Sequence, residues 1–296
     1  MRLLITTQTV DSKDPVLGFF VRWVEEIARH CEQVTVICLR RGEYELPQNV
    51  RVFALGGSNK FSRAYKLMRD AYKFRNTYDA VFVHMNPEYL AAAGWLWKLL
   101  GKKTALWYTH KSVDFKLRVA ALFADVILTA SKESFRLSSA KVRVMGHGID
   151  TDFFSPDPAV ARTGSLLSVG RLMPSKRHDL AVRAAARATK ELRIAGEGPE
   201  RAQLEVLAKE QSVRAVFLGG LTQTQLRDEY RKAGTLIHRS ETGSLDKVVL
   251  EALACGLAVD TSDPALKDLE SAGREYVQAN HSLQALIPRI LGVLHG

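Results

Sequence analysis

The chain of 296 residues is poor in cysteine, and its three cysteines, Cys31, Cys38 and Cys255, form no CxxC pair. A disulfide framework and a thiolate metal site are thereby excluded, and the three read as reduced core residues of a reducing compartment. No apolar run reaches the roughly 18 residues of a membrane-spanning helix, and the opening MRLLITT turns polar too soon for a signal peptide. The expected location is cytoplasmic. His, Asp, Glu and Cys are nowhere grouped at metal-ligand spacing, so no metal is expected. The stretch TTQTVDSKDPVLGFF, which follows the first apolar run, has Gly18 as its one glycine and no GxGxxG, which argues against a simple NAD-binding domain. Internal repeats, low-complexity tracts and long blocks of one charge are also missing.

What is present is ordinary globular composition, 46% hydrophobic and 25% charged, in a chain long enough for two domains. The formal charge of +10 implies attraction to something acidic: nucleic acid, an anionic membrane surface or phosphorylated substrates. Short apolar or β-branched runs at 3–6, 33–38, 50–54, 80–83, 104–108, 126–129 and 141–144 alternate with stretches of three- and four-residue apolar spacing. A second series follows at 165–169, 192–195, 215–218, 235–238 and 258–261. That alternation predicts an α/β fold of parallel sheets covered by helices. The segment GHGIDTDFFSPDPAVARTG, 146–164, breaks the rhythm and marks a boundary between domains 1–150 and 151–296. Two Rossmann-like domains of this kind are expected to bind ligand in a cleft between the carboxyl ends of their sheets.

Several loops carry candidate chemistry. In SVGRLMPSKRHDLAV, Arg171 and Lys176 lie between a strand and a helix, either as two solvated cations or as ligands of a diphosphate. AGEGPE, 195–200, reads as a tight strand-to-helix turn in which glycine reaches angles other residues avoid. FLGGLTQTQL puts Gly219 and Gly220 after another strand, where backbone groups could border a flat base. In SETGSLDKVVLEALACG, 240–256, Glu251 is a lone carboxylate in an apolar helix: a solvated side chain, or one facing an anion held at the helix N-terminus.

Taken in order, GHGIDTDFFSPD, SVGRLMPSKR, AGEGPE, FLGGL and LEALACGLAV closely resemble the C-terminal domain of GT-B glycosyltransferases, in particular the retaining family 4 enzymes. The resemblance covers nearly all of 146–264. It implies a GT-B fold, a nucleotide diphosphate-sugar donor with no further cofactor, and transfer with retention to a hydroxyl on a sugar or lipid-linked acceptor. Arg171 and Lys176 then correspond to the diphosphate ligands and Glu251 to the ribose ligand, with Gly170, Gly219 and Gly220 bordering the donor. The family has a second Glu eight positions before the ribose Glu, and this chain has Gly243 there. The backbone of Gly243, Ser244, Leu245 and Asp246 is expected to cradle sugar and phosphate, with Asp246 or Glu241 taking over hydroxyl recognition. Should neither do so, a binding scaffold that has lost turnover is the alternative. A GT-B sugar-nucleotide epimerase or hydrolase also remains open.

In the first half, the resemblance gives Gly18 a place near the diphosphate, against the plainer reading of a turn before a helix. It places His110, in ALWYTHKS, close to donor sugar and acceptor. His84, in VHMNPEY, is a second candidate on the acceptor side, and His147 a third. The segment 59–79 carries Lys66, Arg69 and Lys73 at helical spacing beside Tyr65, Met68 and Tyr72. Either it covers the sheet with a solvated basic face or it docks on an anionic membrane surface, making the protein peripheral on the inner face. No nucleic-acid reader motif accompanies the basic charge, so no nucleic acid is expected. A final helix is expected near 283–295, but the long terminal helix that crosses back to the first domain in such enzymes is expected to be short or missing.

Overall fold

Parallel strands buried on both faces need apolar side chains in both phases of the pleat, and the apolar runs of this chain supply them. The computed structural model describes residues 1–240, 246–261, 266, 269 and 273–295. They divide into two units, 1–148 with 283–296 and 149–282.

The first unit is a seven-stranded parallel sheet in the order β3-β2-β1-β4-β5-β6-β7. Its strands are β1 (Arg2–Val10), β2 (Gln33–Arg41), β3 (Val50–Ala54), β4 (Ala80–His84), β5 (Lys103–Trp107), β6 (Val126–Thr129) and β7 (Val142–Val144). Alternate residues feed opposite cores. Leu3, Ile5, Phe82 and Trp107 face helix α1 (Phe19–Arg29), while Leu4, Val81, Val83 and Leu106 face α2 (Lys60–Lys73), α3 (Glu88–Leu99) and α4 (Phe115–Phe123). Side-chain oxygens of Asn59 and Asp114 accept from the backbone of Ser62 and Leu117, which caps α2 and α4.

The helix Leu283–His295 completes the first of these cores. Leu283, Leu286, Ile287, Ile290, Leu291 and Leu294 are buried on one stripe that packs with α1. Pro288 sits on the exposed side, where the hydrogen bond it removes is opposite the stripe. This corrects two expectations. The terminal helix is present, and it belongs with the first unit, so the assignment of 151–296 to one domain fails at its last helix. Hydrophobic periodicity identified the stripe but contains no information about which core it enters.

The second unit is a five-stranded parallel sheet, order β10-β9-β8-β11-β12. It comprises β8 (Leu166–Val169), β9 (Leu192–Ala195), β10 (Ala215–Gly219), β11 (Thr235–His238) and β12 (Ala258–Thr261). Helices α5 (His178–Ala188), α6 (Arg201–Glu210), α7 (Gln223–Lys232) and α8 (Lys247–Ala254) follow β8 to β11, and a further helix spans Gly273–His281. The expected linker is not a free tether. Ile149 and Phe154 are buried, and Arg162 donates to the carbonyls of Tyr230, Ala233 and Cys255. The three cysteines are free and buried, and burial pushes the thiols of Cys31 and Cys38 up to about 11 and that of Cys255 to about 12.

Ile287 is fully buried against α1, so Ile287→Ala leaves a cavity and should destabilise the chain by about 2–5 kcal/mol. Urea unfolding should show a lower midpoint, and an unchanged midpoint would mean the helix does not share the first unit's core.

Candidate functional site

In an open parallel sheet, ligands gather outside the carboxyl ends of the strands where the strand order reverses. In the second unit that point lies between β8 and β11. The loop after β8 carries Gly170, Arg171 and Lys176, and the chain after β11 carries Ser240 and, at the cap of α8, Asp246. Lys176 Nζ donates to Asp246 Oδ2 at 2.7 Å and to Ser240 Oγ at 3.4 Å. His238 Nε2 lies 3.2 Å from the same Asp246 oxygen. Burial alone would raise the Asp246 carboxyl, but the contacts with His238 and Lys176 prevail and hold it well below the usual carboxylate range. Two residues picked from separate motifs, 70 positions apart, thus form one half-buried ion pair.

The loop itself is locked by its neighbours. Gly170 N donates to Ala195 O, Leu172 N to Glu197 O, Glu200 N to Leu172 O and Gly196 N to Gly219 O. At Gly196 (φ 144°) an added Cβ would collide with Gly170 O, so this position of AGEGPE must be glycine for the two strand-end loops to stack. Gly219 and Gly220 are partly engaged in the same scaffold, Gly219 O by Gly196 and Gly220 N by Glu197 Oε1 at 3.4 Å. Arg171 is exposed on the loop. Beneath it, His178 is buried. Its Nε2 lies 3.3 Å from Arg171 O, which can only accept, so Nε2 carries the proton and Nδ1 accepts from Ser168 Oγ at 2.9 Å.

Glu251 is not on a solvated face: it is 2% exposed. Tyr230 OH donates to its Oε2 at 3.2 Å, and Lys247 Nζ is 3.0 Å from its Oε1. Gly243, Ser244 and Leu245, with Glu241, lie outside the described residues.

In the first unit, Gly18 immediately precedes α1, and a Cβ there would stand 2.5 Å from Asp14 O and 3.0 Å from Ser12 O, a steric reason for glycine within the turn itself. His110 is exposed after β5, its Nδ1 accepting from Ser112 N at 3.1 Å. His84, expected on the acceptor side, is instead 2% exposed, stacked on Phe20 at 3.8 Å and hydrogen-bonded to Thr7. Its place as the last residue of a strand that is covered on both faces puts the ring in the core. On α2, Lys66 is half-buried near Gly56, Arg69 pairs with Asp70 at 2.7 Å, and Lys73 lies 5.5 Å over the Phe74 ring. Sequence reading missed His178, His238 and Tyr230. The first had a signal, a histidine opening the helix of the SVGRLMPSKRH motif; the other two are strand and helix residues without one.

Two parallel-sheet α/β units with these strand-end loops define a GT-B fold. The chain superposes over its full length on the full length of HepE from Anabaena, a structure solved with UDP, with a TM-score of 0.74 at 14% identity. Residues 155–287 match the family model described as glycosyl transferases group 1, and this part of the chain carries the resemblance read from its motifs. A D-inositol 3-phosphate glycosyltransferase of Kribbella flavida is 35% identical over 40% of this chain and 34% of its own length. A Campylobacter jejuni N-acetylgalactosamine-N,N'-diacetylbacillosaminyl-diphospho-undecaprenol 4-alpha-N-acetylgalactosaminyltransferase is 29% identical over 62% of this chain and 58% of its own. The chain therefore spans about a third of the first of these relatives and under three-fifths of the second.

Burial pushes His178 down to about 4, whereas an unfolded histidine titrates near 6.5. Between those values the unfolded chain binds the extra proton, so stability rises with pH across the window and is lost on acidification, by on the order of 3 kcal/mol for this group. His281, also pushed down to about 4 by burial, acts with the same sign. Thermal melts from pH 7 to 4.5 should show a decline that His178→Gln makes shallower; an unchanged slope would refute the neutral His178.

Proposed function

We propose that this chain is a retaining glycosyltransferase that moves a sugar from a nucleotide diphosphate-sugar to a hydroxyl acceptor. The observation that carries the reading is the assembly of Lys176, Asp246 and Ser240 beside Arg171 at the strand-order reversal of the second unit, within the segment that matches the group 1 model. Arg171 and Lys176 take the donor diphosphate, Glu251 the ribose, and the Gly170 and Gly219–Gly220 backbone lines the donor. Lys176, held at 2.7 Å by Asp246, is oriented for the donor, and phosphate oxygens add to or replace that contact.

In the reaction the anomeric C–O bond to phosphate breaks, with its electron pair leaving on the phosphate oxygen. The acceptor oxygen bonds to the anomeric carbon on the same face, and its proton passes to the departing phosphate. Arg171 and Lys176 stabilise the charge developing on the leaving group, and no metal is assigned a role. Asp246 recognises a sugar hydroxyl in place of the Glu absent at position 243. His110 is assigned a catalytic place, close to donor sugar and acceptor. The second reading, a nucleotide-sugar-binding scaffold without turnover, is favoured by the glycine at 243 alone.

Titration with UDP, GDP and ADP and their sugar conjugates should raise the melting temperature for one nucleotide series. Glu251→Ala and Arg171→Ala should abolish that shift. Lys176→Ala should lower transfer by about 10²–10³-fold, the usual loss on removing a group that stabilises developing charge. Stabilisation without transfer to any acceptor would leave the scaffold reading standing, and no stabilisation would sink both.

The acceptor is proposed to be presented at a membrane. Among the described residues no helix is long and apolar enough to cross one. On α2, however, Phe61, Tyr65 and Tyr72 are exposed beside Arg69 and Lys73, the combination of rings and cations that lies in an anionic bilayer interface. Replacing Lys66, Arg69 and Lys73 by Gln should remove co-sedimentation with anionic vesicles, and retained binding would discard α2 as the docking element.

A further inference from the structure

The first unit holds a cavity of about 370 Å³ that none of the donor motifs reaches. It opens at the strand-order reversal of the seven-stranded sheet, between β1 and β4, and extends over β2 and β3. Its floor is apolar, made by Leu39, Leu55 and Leu67, and Gln8 and Asn86 add side-chain amides. Asn86 follows Met85, whose φ of 64° is a left-handed value that a non-glycine residue adopts at a cost, so the turn presenting Asn86 is strained. Three cations line the cavity. Lys116 is neutralised by Glu88 at 2.7 Å. Lys60 and Arg63, in the first turn of α2, have no carboxylate within 4 Å among the described residues, and that turn contains no acidic residue. Cations at a helix N-terminus face the positive end of the helix dipole, an arrangement that destabilises α2 unless an anion is supplied. Phe61 and Phe115, the chain neighbours of Lys60 and Lys116, are 88% and 78% exposed.

The geometry points to a binding site for an amphiphile with a phosphoryl group, its phosphate on Lys60 and Arg63 and its hydrocarbon against Leu39, Leu55 and Leu67. Lys60 and Arg63 are exposed, and Arg63 Nε also donates to Gly57 O at 3.2 Å, so both cations stand ready for an anion without being buried. A bare anion would leave the apolar floor wet, and a neutral hydrocarbon would make no use of the two cations beside it. This deepens the glycosyltransferase reading, on which it rests only for calling the occupant the acceptor: the acceptor's hydroxyl belongs to a molecule that carries a phosphoryl group joined to an apolar chain.

The probe is decyl phosphate below its micelle concentration, titrated calorimetrically into the full chain, with inorganic phosphate and decanol as partial ligands. Decyl phosphate should bind at one site, and each partial ligand at least about ten-fold more weakly, since each lacks either the charge-assisted hydrogen bonds or the buried chain. The double variant Lys60→Ala/Arg63→Ala should weaken decyl phosphate by at least about ten-fold. Ala64→Trp, which fills the cavity and keeps both cations, should abolish it. Undiminished binding to either variant, or equal binding of inorganic phosphate or of decanol, overturns the proposal. Displacement of the probe by phosphatidic acid vesicles would assign the natural group to a bilayer lipid, and its retention would assign it to a freely diffusing phosphate ester; both keep the site. Nucleotide titration of the same samples separates the two readings: nucleotide binding without decyl phosphate binding sinks this inference alone, and the reverse sinks the donor assignment alone.

Discussion

The ion pair between Lys176 and Asp246 is the contact on which the second unit's site depends. It joins the loop after β8 to the cap of α8 at the point where the strand order reverses. With Lys176 21% and Asp246 15% exposed, both charges are largely withdrawn from water, and removing either partner would leave the other desolvated, a loss of about 3–5 kcal/mol in such pairs. A half-buried pair with Ser240 and His238 at its edges is thus better understood as a positioning device than as a source of stability. It holds the ammonium group at the place proposed for the donor diphosphate.

That device works because the strand ends beneath it are rigid. Backbone hydrogen bonds run from the β8 loop to the β9 loop and on to Gly219, and Gly196 allows the first two loops to approach within contact of Gly170. His178, kept neutral by burial, ties Arg171 O to Ser168 and so sets the exit of the chain from β8. The motif residues divide between those proposed to meet the donor, Arg171 and Lys176, and those that shape the loops, Gly170, Gly196 and Gly219. Glu251 occupies a third position, a buried carboxylate whose Oε2 accepts from Tyr230 and whose Oε1, 3.0 Å from Lys247 Nζ, makes no hydrogen bond of its own among the described residues.

The two units place their candidate sites by the same rule and give them different chemistry. In the second, the reversal between β8 and β11 gathers cations and a carboxylate over glycine backbone. In the first, the reversal between β1 and β4 borders an apolar cavity with two cations that have no carboxylate partner among the described residues. A polar, charge-compensated site fits the proposed nucleotide diphosphate, and an apolar one with a cationic corner fits the proposed phosphorylated amphiphile, so the two proposed ligands differ in the surface each would take out of water.

Each of the twelve strands was legible in the chain, because β-branched and apolar runs bounded by Gly, Asp and Pro state strand and turn locally; Val126–Thr129, Leu192–Ala195 and Thr235–His238 match to the residue. The loops of the proposed donor site were legible for a different reason: close backbone approach demands glycine, as at Gly196, and the resemblance to GT-B enzymes marks Arg171 and Lys176. Pairings over long separations were not. Nothing in the neighbourhood of Lys176 announces Asp246, nothing in the stripe 283–294 tells which core it fills, and His84 reads from sequence as a strand-end residue whether its ring meets solvent or Phe20. The sequence by itself determined the strands, the helical stripes and the residue types of the donor loops, since these depend on local sterics and periodicity. Only the tertiary structure decided the ion pair, the burial of Glu251, the destination of the last helix and the cavity over β1 to β4, because each depends on which distant segments the order of strands brings side by side.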